Sequence, residues 1–227
     1  MPTYERTIRN SWYKSEEEGL RRQIDPSFLH PNERTPGVTM RVNNKIWHYT
    51  RWKNIIGEFL APKVIVEIGV RAGWAAFSFL KNNPNAEYHG FDLNQGTEGG
   101  IIGYTDWCIQ RMKEEGYKCN IRNNVDSQKM TEMPIKGACL YHVDGDHTHK
   151  GALHDLEICY AAMGLDSFIA VDDYDYLDPV RAAVDEFLMT HNELVGFFIE
   201  TTRGDMIIYH RDSDICIKKI QTLNEYL

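Results

Sequence analysis

The 227-residue chain has no apolar run approaching the roughly 20 residues that a membrane-spanning helix requires, and its first stretch, MPTYERTIRNSWYKSEEEG, holds no apolar core of the kind a secretory signal needs. A soluble, cytoplasmic protein with no membrane partner is therefore expected. CxxC pairs and Cys/His clusters are also missing. The five cysteines, Cys108, Cys119, Cys139, Cys159 and Cys216, are scattered, which argues against a structural zinc site or a disulfide framework and leaves them as reduced packing residues. Positive charge is scarce as well. With 25 basic against 33 acidic side chains the formal charge is −8, which opposes attraction to a phosphate backbone and sets nucleic acid aside as a partner. The Arg21–Arg22 pair follows Glu16–Glu18 and reads as a solvated helix face. No internal repeat and no low-complexity tract occurs. A hydrophobic content of 42% is enough for one full core.

What is present is alternation. From Val64 onward, strand-like runs (KVIVEIG, EYHGFDL, CNIRNN, ACLYHVD, SFIAVDD, VGFFIE, MIIYHR) take turns with amphipathic segments such as WAAFSFLKN, YTDWCIQRMKEEG, HKGALHDLEICYAAMG and DPVRAAVDEFLMTH. That order predicts an α/β fold: a doubly wound, seven-stranded, mostly parallel sheet with helices on both faces. The last two strands are joined by the short turn TTRGD, which has no room for a crossover helix and makes them an antiparallel pair. Upstream, NNKIWHYTRWKNIIGEFL reads as a helix packed on the sheet, and residues 23–44, rich in Pro and Asn, read as an irregular loop or a lid. Residues 1–60 are thus expected to form a helical and loop extension, and residues 61–227 the main domain.

The first strand ends in VIVEIGVRAG, where Gly69 and Gly73 permit a tight turn and let a ligand approach a helix N-terminus. The dinucleotide fingerprint is incomplete, because Arg71 occupies the place of its second glycine and no third glycine follows at the right distance, so hydride-transfer cofactors lose ground. Glu67 followed by Gly-x-x-x-Gly resembles the first motif of the class I S-adenosyl-L-methionine-dependent methyltransferases, a Rossmann-like family. The resemblance implies that Glu67, Gly69 and Gly73 border the methionine moiety of the methyl donor. Twenty-five residues on, Asp92 ends the next strand, where a carboxylate can accept from both ribose hydroxyls; its other reading is a loop cap. After the third strand, NNVDSQ resembles the segment on the adenine side in that family, which makes Asp126 and Ser127 cofactor contacts by resemblance.

The fourth and fifth strands end in VDGDH and VDDYDY. Parallel strands finish on one side of the sheet, so Asp144, Asp172 and Asp173 are expected to gather beside the cofactor crevice. Three such carboxylates repel one another unless a cation intervenes, and oxygen ligands without thiolates favour Mg²⁺, Mn²⁺ or Ca²⁺ over zinc. Asp172 follows Asp144 by 28 residues. This arrangement resembles the metal-dependent O-methyltransferases of the catechol type, and VDGDHTHKGALHDLE and IAVDDYDY are similar to a bacterial branch containing macrolide-sugar O-methyltransferases and relatives labelled cephalosporin hydroxylases. Asp144 thereby becomes a metal and catalytic residue. His147 becomes the general base, since an imidazole takes a hydroxyl proton near neutral pH. Tyr174 and Tyr176 are candidates for a substrate wall, Trp12, Tyr13, Trp47 and Trp52 for a lid or for core, and Trp74 for a cofactor contact or a helix anchor. Asp146 reads as a helix N-cap and His142 as a buried structural residue.

The expectation is a methyl donor and a divalent ion serving O-methylation of a small hydroxylated acceptor, a sugar or a catechol-like ring, by a homo-oligomer. Two other classes remain at this stage: a metal-dependent hydroxylase or oxygenase, and a catalytically silent binding protein built on the same fold.

Overall fold

A computed structural model of the chain describes residues 4–8, 22, 24–33, 49–96, 100–137, 140–200 and 203–227. Its strands are β1 (Tyr4–Ile8), β2 (Val64–Ile68), β3 (Glu87–Asp92), β4 (Cys119–Asn123), β5 (Leu140–Val143), β6 (Phe168–Val171), β7 (Leu194–Glu200) and β8 (Asp205–His210). The helices are α1 (residues 49–60), α2 (Trp74–Lys81), α3 (Tyr104–Glu114), α4 (His149–Tyr160), α5 (Asp178–Thr190) and α6 (Asp214–Tyr226). All eight strands join one sheet in the order β1-β7-β8-β6-β5-β2-β3-β4. β8 alone runs against its neighbours.

The seven strands read from the sequence all form. The eighth, β1, pairs in parallel with β7 and places Tyr4 opposite Gly196. It comes from the segment expected as a helical and loop extension, and α1 also packs into the common core through Trp52, Ile55, Ile56 and Leu60. The described parts of the first 60 residues are therefore built into the same layered body. Two short 3-10 turns, Pro26–Phe28 and Pro31–Glu33, lie within the stretch read as an irregular loop. Trp12, Tyr13 and Trp47 lie outside the described residues.

Period-two alternation sorts the core into two layers. Ile65 faces α1, α2, α3 and α6, while its neighbours Val66 and Ile68 face α4 and α5. α6 was not apparent in the sequence because lysines interrupt its apolar positions. Ser213 caps it by accepting from the Cys216 N–H at 3.0 Å, and Cys216, Ile220 and Leu223 enter the core. α6 also corrects one expectation. Arg22 is only 1% exposed rather than solvated, because Tyr226 accepts from its Nε at 3.0 Å and Glu58 from its Nη1 at 2.8 Å. Among the described residues no helix is long and apolar enough to cross a membrane.

Chain order reverses direction at β2: β3 and β4 follow on one side, β5 and β6 on the other. The crossover connections leaving β2 and β5 turn to opposite sides of the strand order there, which opens the crevice in which ligands of open α/β sheets bind.

Candidate active site

At that point lies a cleft of about 750 Å³, lined by the loops that follow β2, β3, β4, β5 and β6, with Tyr49 from α1 and Arg203 from the turn before β8. Gly69 has φ +89°, and a Cβ there would sit 1.8 Å from the carbonyl oxygen of Asp144. The residue must be glycine for the β2 loop to lie against the β5 loop. Gly73, at φ +80°, starts α2 against Cys108, whose Sγ would be 2.3 Å from a Cβ. Asp92 is held at the rim, its Oδ2 accepting from the Arg71 N–H at 2.7 Å and its Oδ1 from the Asn94 N–H at 2.6 Å. Arg71, Asn94 and Asp173 all adopt positive φ without being glycine, so backbone strain is concentrated around this cleft.

Glu67 lies at the floor. It accepts from the Tyr88 hydroxyl and pairs with His142 Nδ1 at 2.9 Å. Burial pushes the Glu67 carboxyl well above its ordinary range and His142 well below its own, so both favour the neutral form. Asp126 and Ser127 line the opposite end. Asp126 opens a short turn by accepting from the Gln128 N–H at 3.1 Å, and His154 of α4 braces that turn at the Ser127 and Met130 carbonyls.

At the acidic end, ligand atoms of Asp144, His147 and Asp173 lie within 4.8 Å of one another. His147 Nε2 is 3.2 Å from Asp144 Oδ1, and Tyr49 donates its hydroxyl to Asp144 Oδ2 at 3.2 Å. The hydrogen bond to Asp144, working against burial, lifts His147 to about 9. Asp173 is raised to about 7 by burial and by the nearby Asp172 and Asp144, although Arg203 Nη1 stands 3.0 Å from its Oδ1.

Asp172 stands apart from this group. Its Oδ1 accepts from Lys53 Nζ at 3.0 Å, and the same ammonium pairs with Asp205. Lys53, Asp172 and Asp205 are all buried. Burial works against the charged lysine, but the two aspartates hold its proton more tightly than usual. The structure thus brings Asp144 and Asp173 together with His147 and sets Asp172 behind them, engaged by a side chain that sequence reasoning missed. The available signal was a lysine interrupting the apolar face formed by Trp52, Ile55 and Ile56, one helical turn after Tyr49.

The two tyrosines separate. Tyr176 is exposed and lines the cleft, with the Arg203 guanidinium 5.4 Å from its ring. Tyr174 points into the α5 layer, packs on Phe198 and donates to Asp185 Oδ1 at 2.8 Å. The cause is local: the Tyr174 N–H bonds to the Gly204 carbonyl at 3.0 Å, which ties the backbone to the turn before β8 and sends the ring into the core. Trp74 does line the cleft and donates to Glu33 Oε2 at 2.8 Å, whereas Trp52 is core. The N-cap of α4 is Thr148 rather than Asp146: Thr148 Oγ1 accepts from the Gly151 N–H at 3.1 Å, and Asp146 bonds the Thr148 N–H one step earlier.

Comparison with known proteins gives the same architecture. Residues 66–174 match the family model described as a methyltransferase domain. No curated protein sequence matches the chain. Among solved structures, the S-adenosylhomocysteine-bound methyltransferase PaMTH1 of Podospora anserina superposes with a TM-score of 0.60 at 14% identity, covering 89% of this chain and 91% of that one. The O-methyltransferase TomG of Streptomyces achromogenes, solved with S-adenosylmethionine, gives 0.57 at 12% identity over 87% and 90% of the two chains. An O-methyltransferase of Bacillus cereus, solved with S-adenosylhomocysteine, gives 0.58 at 10% identity over 82% and 86%. At these identities the likeness speaks for the fold.

Proposed function

We propose that this chain is an S-adenosylmethionine-dependent O-methyltransferase acting on a hydroxyl of a small molecule, a sugar or a catechol-like ring. The observation that carries the reading is that one cleft holds both halves of such a reaction. The glycine turn at Gly69 and Gly73 and the fixed carboxylate of Asp92 lie at one end, and the His147–Asp144 pair lies at the other.

In this reading Asp92 accepts from the ribose hydroxyls, Asp126 and Ser127 border the adenine, and the turn after Glu67 receives the amino-acid end. The acceptor hydroxyl sits against His147, between Tyr49 and Tyr176. Its oxygen attacks the methyl carbon in line with the sulfonium, the C–S bond breaks to leave a neutral thioether, and the hydroxyl proton passes to Nδ1 of the neutral His147 imidazole, whose Nε2 is held by Asp144. Asp144 orients that imidazole and stabilises the imidazolium it becomes.

The donor set also suits a divalent cation. Carboxylate oxygens of Asp144 and Asp173 lie within 4.8 Å of one another and of a His147 nitrogen; the two carboxylates would hold Mg²⁺ or Mn²⁺ with positions left for acceptor oxygens, and His147 stands beside them as the base. Such an ion, when bound, lowers the pKa of the acceptor hydroxyl. Asp172, held by Lys53, adds negative charge behind the two ligands. Only one histidine belongs to this set among the described residues, so the two-His-one-carboxylate site of iron oxygenases is not formed. The described cysteines are free thiols, which suits the cytoplasm.

Calorimetric titration with S-adenosylhomocysteine tests the reading. Binding is expected, Asp92→Ala is expected to weaken it, and His147→Ala is expected to slow methyl transfer by about 10²–10⁴-fold while leaving that binding intact. Absence of binding to both S-adenosylhomocysteine and S-adenosylmethionine refutes the proposal. Methyl transfer that survives exhaustive chelation refutes the metal.

A further inference from the structure

A carboxylate turns softly about its last torsion, so the one assigned to the ribose above needs its plane held if it is to accept from two neighbouring hydroxyls at once. Two backbone N–H groups hold it. The Arg71 N–H reaches Asp92 Oδ2 at 2.7 Å from the glycine turn, and the Asn94 N–H reaches Oδ1 at 2.6 Å from two residues further along the chain. Each carboxylate oxygen has a second lone pair with which to meet a ligand hydroxyl.

The two guides are secured differently. The glycine turn is tied to the end of β3 by its own backbone, since the Gly69 N–H donates to the Phe91 carbonyl at 2.8 Å. Asn94 lines the cleft with φ 52°, a left-handed conformation that asparagine tolerates better than most residues. Its side chain supplies the anchor. Oδ1 accepts from the Gly103 N–H at 3.0 Å, where the chain returns nine residues later to open α3, and Nδ2 points to Asp106 Oδ2 at 3.5 Å. Both neighbours demand the same amide orientation, with oxygen toward the N–H and nitrogen toward the carboxylate. Asp106, in the first turn of α3, also accepts from Asn123 Nδ2 at the end of β4. Just beyond, the Val125 N–H donates to the Asp92 carbonyl at 2.9 Å. One amide thus joins the end of β3 to the start of α3 and, through Asp106, to the end of β4.

We infer that Asn94 is a positioning residue for the donor's ribose: its side chain holds its own N–H against Asp92, and Asp92 then presents both oxygens to the two hydroxyls. The inference rests on the methyltransferase reading. A role confined to closing the loop would support every part of donor binding equally, whereas positioning acts on the hydroxyls alone.

The test compares two probes on the full chain by calorimetry. One is S-adenosylhomocysteine, and the other is its 2′,3′-dideoxy analogue, which keeps the adenine, the thioether and the amino acid but lacks both hydroxyls. The wild type is expected to prefer S-adenosylhomocysteine by at least about tenfold, since hydrogen bonds to a charged carboxylate are at stake. Asn94→Gly keeps the left-handed backbone and deletes the amide. It is expected to weaken S-adenosylhomocysteine about three- to tenfold and to leave the analogue within about twofold, so that the preference narrows. Asn94→Ala adds backbone strain and should lower the melting temperature further while narrowing the preference by the same factor. Equal weakening of both probes by Asn94→Gly, an unchanged preference in that variant, or narrowing by Asn94→Ala alone overturns the assignment. A wild-type chain that binds neither probe overturns the methyltransferase reading beneath it, and one that binds both equally removes Asp92 from the ribose and the role of Asn94 with it.

Discussion

Asp155 gives a quantitative check on how the loop bearing Asp144 and His147 is supported. The residue sits on α4 at 0% exposure, directly under that loop. Its Oδ1 accepts from Gln128 Nε2 at 3.1 Å, its Oδ2 has no hydrogen-bond partner, and a Cβ at Gly145 would lie 2.8 Å from that oxygen. Burial pushes the carboxyl from 3.8 up to about 7. A raised carboxyl pKa means that the folded protein holds a proton the unfolded chain has released. The resulting penalty is absent below the lower value, grows through the interval and is complete above the upper one, reaching on the order of 4 kcal/mol. Asp155→Asn keeps an acceptor for Gln128 and cannot ionise. Urea denaturation of both proteins should therefore show the variant gaining on the wild type by roughly 2–3 kcal/mol between about pH 5 and about pH 8, whatever their offset at the acid end. Parallel stability–pH curves would falsify the claim that a buried carboxyl held above its ordinary range lies beneath the loop of Asp144 and His147.

Three further outcomes follow from the same geometry. Lys53→Met leaves Asp172 and Asp205 buried without their cation, so it should cost about 3–5 kcal/mol in denaturant titrations near neutral pH, with part of the loss restored by adding Asp205→Asn; a cost below about 0.5 kcal/mol would mean that the two acids are solvated. Gly69→Ala places a methyl group on the Asp144 carbonyl and should abolish S-adenosylhomocysteine binding or lower the melting temperature by several degrees, and a variant unchanged in both respects would show that the β2 and β5 loops do not touch. Tyr176→Ala should raise the acceptor KM with little effect on stability, whereas Tyr174→Phe should cost about 1 kcal/mol of stability and leave that KM alone; the reverse pattern would return Tyr174 to the substrate wall.

The succession of parallel strands and crossover helices along the chain was legible because both are written in local periodicity and in glycine placement. The same is true of Gly69, Gly73 and Asp92, which sit at strand ends. Strand parity is where local reading stopped. Asp172 and Asp173 are adjacent, yet one turns to Lys53 and the other to the cleft, and the choice depends on a helix more than 100 residues upstream. Tyr174 was misleading for a related reason, since the bond from its N–H to the Gly204 carbonyl is invisible until β8 is in place. Arg22 is similar: only the C-terminal helix, through Tyr226, turns an apparently solvated arginine into a buried one. β1 carries no local signal at all, because five residues of mixed polarity become a strand only where β7 offers an edge.

Long-range packing also changes what the acidic rim requires. Read from sequence, Asp144, Asp172 and Asp173 form an uncompensated trio for which an external cation is the sole remedy. In the fold, Lys53 reaches Asp172 from α1, Arg203 reaches Asp173 from the turn before β8, and His147 and Tyr49 satisfy the two oxygens of Asp144. A divalent ion is therefore not needed to hold the site together. If it binds, it must compete with Arg203 for Asp173 and with His147 for Asp144, so its affinity is set by how readily those side chains withdraw. Strong fixed compensation at Asp172 and looser compensation at Asp144 and Asp173 divide the acids into a structural one and two exchangeable ones. The exchangeable pair is the one that faces the cleft, as a site that gathers metal and acceptor together would require.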